Sequence, residues 1–211
     1  MTTVGIRYEL IASICTKGKR GFLRKRKSNV VSAQTEIIID KHDLHSTWPV
    51  YCQPDLRQVD LDGVVLTVER HNTCYAPGDQ VIVSASVRSE FQTVILRGFE
   101  IALRESRTFR AGAYAQGKKT IPQTRVGNLV DNKFAVNVTL MGGMQHQADL
   151  NLAIPPNHTT TTLNSARHID ITYVLCVRAI MGTGQPVIME LPVIMSNWPR
   201  LVLFNWYNFR G

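Results

Sequence analysis

The sequence predicts an all-β protein, an immunoglobulin-like β-sandwich preceded by a β-hairpin. Three observations carry this. Apolar residues recur with a period of two along most of the chain, the spacing of a half-buried strand. Clusters of Gly, Pro, Asn and Asp punctuate these runs at turn positions. No segment sustains the apolar stripe of an amphipathic helix.

The first strand is read from Val4, Ile6, Tyr8, Leu10, Ala12 and Ile14, which alternate with Gly5, Arg7, Glu9 and Ser13. A short second strand is read at residues 36–40, EIIID. The stretch HSTWPVYCQPDLRQVDLDG carries Pro49 and Pro54 and no clear period, so it reads as a linker. From Gly63 the alternation resumes, with strands expected at residues 64–70, 80–88, 94–107, 133–140, 168–181 and 186–196. A weaker strand at 148–154 precedes Pro155-Pro156. Between the first two of these, Tyr75-Ala76-Pro77-Gly78-Asp79 is a turn: Pro77 presets φ and Gly78 supplies a positive one. Gly182-Thr183-Gly184-Gln185 is a tight hairpin signal. About seven strands over this length are what a sandwich needs. Residues 107–132 and 155–167 read as long polar loops.

The chain has 211 residues, 44% of them hydrophobic, enough for one packed core and part of a second. A charged fraction of 19% and a mean hydropathy of −0.07 exclude global disorder. The formal charge is +8, and seven Lys/Arg with no acid lie within residues 17–27. Taking those seven away leaves +1, so the basic balance belongs to one segment rather than to a broad face suited to duplex DNA. Cys15, Cys52, Cys74 and Cys176 form no C-x-x-C pair, which removes zinc-ribbon spacing. Arg7 and Glu9 interrupt the apolar start and make it a poor signal-peptide core. No run reaches the roughly 18 apolar residues of a spanning helix. A cytosolic chain with reduced, buried thiols is expected. In that compartment the sequons at Asn137 and Asn157 carry no glycan.

Several motifs fall short of chemistry. Gly112-Ala-Tyr-Ala-Gln-Gly117-Lys118-Lys119 nearly matches a phosphate loop. Lys119 stands where the magnesium-binding Ser or Thr belongs, and Pro122 follows where a helix should open. His42, His45, His71 and Cys74 suggest zinc only until strand geometry is applied. A His-x-x-His spacing on extended chain points to opposite faces. His168 and Asp170 share a strand face near Ser165, with no nucleophile elbow or oxyanion site around them. No enzyme is expected, and no cofactor or metal. The tail LVLFNWYNFRG, with Phe204, Trp206, Tyr207 and Phe209, reads as a closing strand or a contact surface.

The residues also carry a resemblance. Leu66-Thr-Val-Glu-Arg, YAPGDQVIVSASV, LRGFEIALRE, AIPPNHTTTT, HIDITYVLCVRA and ELPVIMSNWP, together spanning about residues 63–199, resemble the C-terminal domain of an α-arrestin. RYELIASICTKGKRGF and TEIIIDKHDLHSTWPVY resemble the last strands of the arrestin N-terminal domain and the hinge after them. The resemblance implies four segments. Residues 1–47 are strands of an incomplete N-terminal sandwich, 48–62 a linker, 63–200 an arrestin C-terminal-like sandwich, and 201–211 an aromatic-rich tail.

It also implies a cytosolic adaptor, peripheral to the plasma membrane or endosomes, which links membrane cargo to a HECT-type ubiquitin ligase for endocytosis. Two departures qualify that. About 50 N-terminal-domain residues are present, so a truncated product or gene fragment is expected. The ligase motif P-P-x-Y is missing: Pro155-Pro156-Asn157-His158 has His for Tyr, and Trp48-Pro49-Val50-Tyr51 lacks the first Pro. The basic residues Lys17, Lys19, Arg20, Arg24, Lys25, Arg26 and Lys27 are the candidate contact for anionic lipid or acidic cargo tails. Each contributes on the order of 1 kcal/mol near an anionic leaflet, which is weak anchoring that needs a second contact. The alternative is a nucleic-acid binder acting through the same loop. With Phe22 the run's one aromatic, stacking on bases has little to work with.

Overall fold

The structure is a computed structural model that describes residues 8–17, 28–37, 53–110, 122–164 and 169–196. The chain forms two compact units, residues 1–41 and 42–211.

In the first unit β1 (Tyr8–Lys17) and β2 (Ser28–Ile37) form a two-stranded antiparallel sheet. Their register runs from Tyr8 opposite Ile37 to Lys17 opposite Ser28. The second strand therefore starts at Ser28, ahead of the expected residues 36–40, and shares residues 36 and 37 with them. Val30 and Val31 are adjacent and fall on opposite faces, which hides the period in the linear sequence. One face carries Leu10, Ala12 and Ile14 beside Val31, Ala33 and Ile37. Lys17 closes β1, while Lys19, Arg20, Arg24, Lys25, Arg26 and Lys27 lie outside the described residues.

The second unit contains β3 (Asp55–Leu61), β4 (Val64–Arg70), β5 (Cys74–Tyr75), β6 (Gln80–Ser89), β7 (Val94–Phe109), β8 (Gln123–Leu140), β9 (Gln145–Ala153), β10 (Ile169–Met181) and β11 (Val187–Met195). Two open sheets face each other, one in the order β5-β11-β10-β7-β8 and one in the order β3-β4-β6-β9. β6 and β11 bury every second side chain. Val64, Leu66, Val68, Val81, Val83, Val87, Leu150 and Leu152 from the smaller sheet meet Leu96, Phe99, Ile101, Leu103, Leu175, Val177 and Leu191 from the larger. The expected sandwich is the observed one.

Two elements differ from expectation. The stretch read as a linker, residues 48–62, ends in β3, which pairs along its whole length with β4 through a two-residue turn. Asp62 and Gly63 both have positive φ, 55° and 75°, the type I′ geometry that an Asp-Gly pair favours. The strand is inconspicuous because it is an edge: Leu56, Arg57, Gln58 and Asp60 are exposed, and Asp55, Val59 and Leu61 are only half-buried. The described part of the expected loop at 107–132 is mostly strand as well, since β7 and β8 pair out to Phe109 opposite Gln123. Two register shifts in that pairing break the alternation that would have announced β8. One of them coincides with Asn137, whose φ is 57°. Gly98 sits at the same irregularity, and a Cβ there would lie 2.2 Å from the Phe134 carbonyl oxygen.

Candidate functional site

Two polar constructions interrupt the apolar sandwich. The first is the loop after β9, which carries Ile154-Pro155-Pro156. Ile154 is buried, and its backbone exchanges bonds with the β5–β6 turn: its N–H donates to Asp79 (2.9 Å) and its carbonyl accepts from Gly78 (3.2 Å). The loop then wedges between the ends of β10 and β11. Thr162 N–H donates to the Met195 carbonyl at 2.9 Å, and its hydroxyl accepts from Met195 N–H at 2.8 Å. Leu163 and Ile171 exchange both backbone bonds, at 2.9 and 2.7 Å.

Tyr173 is the anchor of this loop. Alternation along β10 puts it in the core register with Leu175 and Val177, where it is fully buried. A buried phenol must find partners. Its oxygen lies 3.0 Å from Glu105 Oε1, 3.0 Å from the Thr160 carbonyl and 2.9 Å from His158 Nε2. The hydroxyl has one proton for two acceptors, so Glu105 and Thr160 share it. His158 Nε2 then completes the phenol's shell by donating to its lone pair. The two rings meet edge to face at 5.8 Å. Arg107 closes the cluster, donating to Glu105 Oε2 at 2.9 Å and to Thr160 Oγ1 at 3.4 Å. Burial, then the Glu105 charge and its hydrogen bond, push the Tyr173 pKa up. The hydrogen bond to Glu105 raises that of Arg107. A phenol that holds its proton this firmly pins a loop and does not give its proton up.

The second construction lies on the seam between the sheets. Arg70 ends β4 in the core register of Val64, Leu66 and Val68, and its side chain is only 4% exposed. Its Nε and one terminal nitrogen hold Asp55 Oδ2 at 3.1 and 2.8 Å. The other terminal nitrogen donates to the Pro192 carbonyl of β11 at 2.9 Å. One guanidinium thus ties β3, β4 and β11. Arg57 Nε donates to the remaining Asp55 oxygen at 2.9 Å. The bond from Arg70, assisted by the one from Arg57, lowers the Asp55 pKa below its ordinary 3.8 against the opposing effect of burial. Beside this lock is a groove of about 490 Å³ lined by Pro54, Asp55, Arg57, Arg70, Thr73 and Pro192, among others.

The chain belongs to the arrestin family. The family model for the arrestin (or S-antigen) C-terminal domain matches residues 62–199, which covers the whole sandwich from the β3–β4 turn onward. Among curated proteins none matches the chain. Among solved structures it is similar to Spo0M, a sporulation control protein from Bacillus subtilis, at a TM-score of 0.54 and 14% identity. That match covers 71% of this chain and 56% of the other, and at this identity it bears on the fold alone.

Within an arrestin C-terminal domain the sequence candidates fall as follows. Six of the seven basic residues lie outside the described residues, as do His42, His45, the run Gly112–Lys119, Ser165, His168 and the aromatic tail. Asp170 is paired with Arg110. Cys74 and Cys176 are buried. No group of three or more His, Cys, Asp or Glu suited to a metal occurs among the described residues. Pro155-Pro156-Asn157-His158 gains a role: it is folded into the arrestin sandwich with His158 on Tyr173. The sequence reading missed the Tyr173 and Arg70 constructions. Both had a signal, a polar residue standing in the apolar register of its strand.

Proposed function

We propose that this arrestin-family chain is a non-catalytic adaptor of α-arrestin type. It is cytoplasmic and peripheral to the plasma membrane or endosomes, and it links transporters or receptors to a HECT-type ubiquitin ligase. The carrying observation is the match of the arrestin C-terminal domain over residues 62–199, since arrestins act by binding partner proteins. The half-buried position of His158, bonded to the Tyr173 hydroxyl, supports a corollary. Pro155-Pro156-Asn157-His158 is held in a turn by the His158 N–H to Pro155 carbonyl bond of 3.1 Å and by Tyr173, so it is not an extended polyproline ligand. Ligase recruitment must therefore come from another segment or subunit. The basic residues Lys17, Lys19, Arg20, Arg24, Lys25, Arg26 and Lys27 add a weak anionic contact to the cargo contact.

The test is reconstituted ubiquitylation on liposomes bearing a panel of transporter tails. The chain alone is expected to bind tails and leave ubiquitylation unchanged. The chain with a P-P-x-Y peptide fused to its C-terminus is expected to raise it. A fusion that binds ligase and stimulates no tail on the panel would sink the adaptor reading. Replacing the seven bases with Ser should weaken liposome retention. Unchanged retention would remove the basic run from the proposal.

A further inference from the structure

The open edge of β11 and the groove beside it have no part in holding the loop after β9. Backbone direction along β11 follows from its partners. Ile194 N–H donates to the Thr73 carbonyl on the outer side, and the Pro192 carbonyl faces Arg70 on that same side. The N–H and C=O of one strand residue point the same way, so those of Ile188 and Glu190 also face outward. Val187, Met189, Leu191 and Val193 face β10. The outer edge is thus a short template, about 13 Å from Ile188 to Pro192. It ends abruptly. Pro192 has no N–H to offer, and beyond it β5 already pairs in parallel at Ile194 and Met195. A strand added here cannot run through. It must terminate at the groove.

The groove's charge decides which terminus fits. Both Asp55 oxygens are engaged, one by Arg57 and one by Arg70. Two guanidinium groups around one carboxylate leave one positive charge. Arg57 is 64% exposed and uses only Nε. Its two terminal nitrogens meet no other acceptor among the described residues, in a fork that suits a carboxylate. A volume of 490 Å³ is within the range of ligand pockets. The opposite seam differs: Asn132 Nδ2 of β8 bonds the Asn151 carbonyl of β9 across it at 3.3 Å.

We propose that the β3–β11 groove binds the carboxyl-terminal end of an extended partner peptide. The peptide adds in parallel to the β11 edge at residues 188–191, and its terminal carboxylate sits on Arg57. This rests on the adaptor reading, in that it names where a partner protein docks.

The experiment uses the full chain and a random heptapeptide library with free C-termini. Enriched peptides, measured by fluorescence polarisation, should bind about tenfold more weakly when amidated. Arg57→Gln should cause a similar loss, and the two changes together should cost little more than either one. Ile188→Pro removes one outward N–H, in the same parity as the native Pro192. It should weaken binding while leaving the β10 pairing and the melting temperature in place. For the unsubstituted chain, amide shifts on peptide addition should centre on Ile188, Glu190 and Arg57. No enrichment of free-carboxylate peptides would overturn the proposal. So would binding that tolerates both amidation and Arg57→Gln. Peptide binding with no ubiquitylation by the P-P-x-Y fusion would instead sink the ligase-linked adaptor and leave the groove standing.

Discussion

The hairpin β1–β2 and the sandwich β3–β11 obey the same sequence rule and differ in what covers them. Both alternate apolar and polar residues. In the sandwich, Val81, Val83, Ala85 and Val87 of β6 are fully buried because β7 and β10 present a matching apolar face. In the hairpin, Leu10 and Ile14 sit at the same spacing and remain 59% and 69% exposed. Alternation specifies a strand with two unlike faces, and burial needs a second layer. A lone two-stranded sheet is marginal in water. The hairpin's alternation is thus the pattern of a sandwich strand with no facing sheet among the described residues.

Five measurements break or sharpen this contrast. The largest effect is expected at the centre of the sandwich: Phe99→Ala should cost about 3–5 kcal/mol in denaturant unfolding, since Phe99 is wholly buried. Next comes Arg70→Ala, which leaves Asp55 and the Pro192 carbonyl without their shared donor; a cost of about 2–3 kcal/mol is expected. Tyr173→Phe keeps the ring and deletes the hydroxyl that holds His158, Thr160 and Glu105, for about 1–2 kcal/mol. Buried phenols also give a pH signature. Burial pushes the Tyr75 pKa up from 10.0 to about 12. A raised folded pKa means the unfolded chain ionises first. Stability from this group is therefore full below pH 10 and is lost as pH rises through about 12. Tyr75→Phe should flatten that alkaline limb. The smallest effect belongs to the hairpin: Leu10→Thr should shift the sandwich's unfolding by less than about 0.5 kcal/mol. A shift of several times that would mean the exposed face is covered in solution.

Much of this fold was legible in the sequence because burial and alternation coincide there. The turns at Gly78 and Gly184, both with positive φ, and the strands they separate lie near their expected positions. Legibility failed where a strand has little to bury. β3 and the first half of β8 are sheet edges with no fully buried side chain, and the bulges in β8 interrupt what period remained. The site was less legible. Composition drew attention to the basic run. The described polar constructions rest instead on single residues, Arg70, Glu105 and Tyr173, each in an apolar register. A charge at the end of VVLTVER looks like ordinary solvation until β11 supplies the carbonyl it meets. Tyr173 likewise passes for a core aromatic until the loop at residues 155–164 brings His158 and Thr160 to it.

The bulges of β8 also bear on how molecules of this protein meet each other. β8 is the outer strand of the larger sheet, and a straight edge of that length would template a neighbour's strand and grow a fibre. Its register shifts opposite Leu96–Gly98 and Leu103–Arg104 divide it into short, differently aimed segments. No partner can follow all of these with one continuous ladder. Asn137, held at φ 57°, is then a guard against filament growth as much as a quirk of pairing.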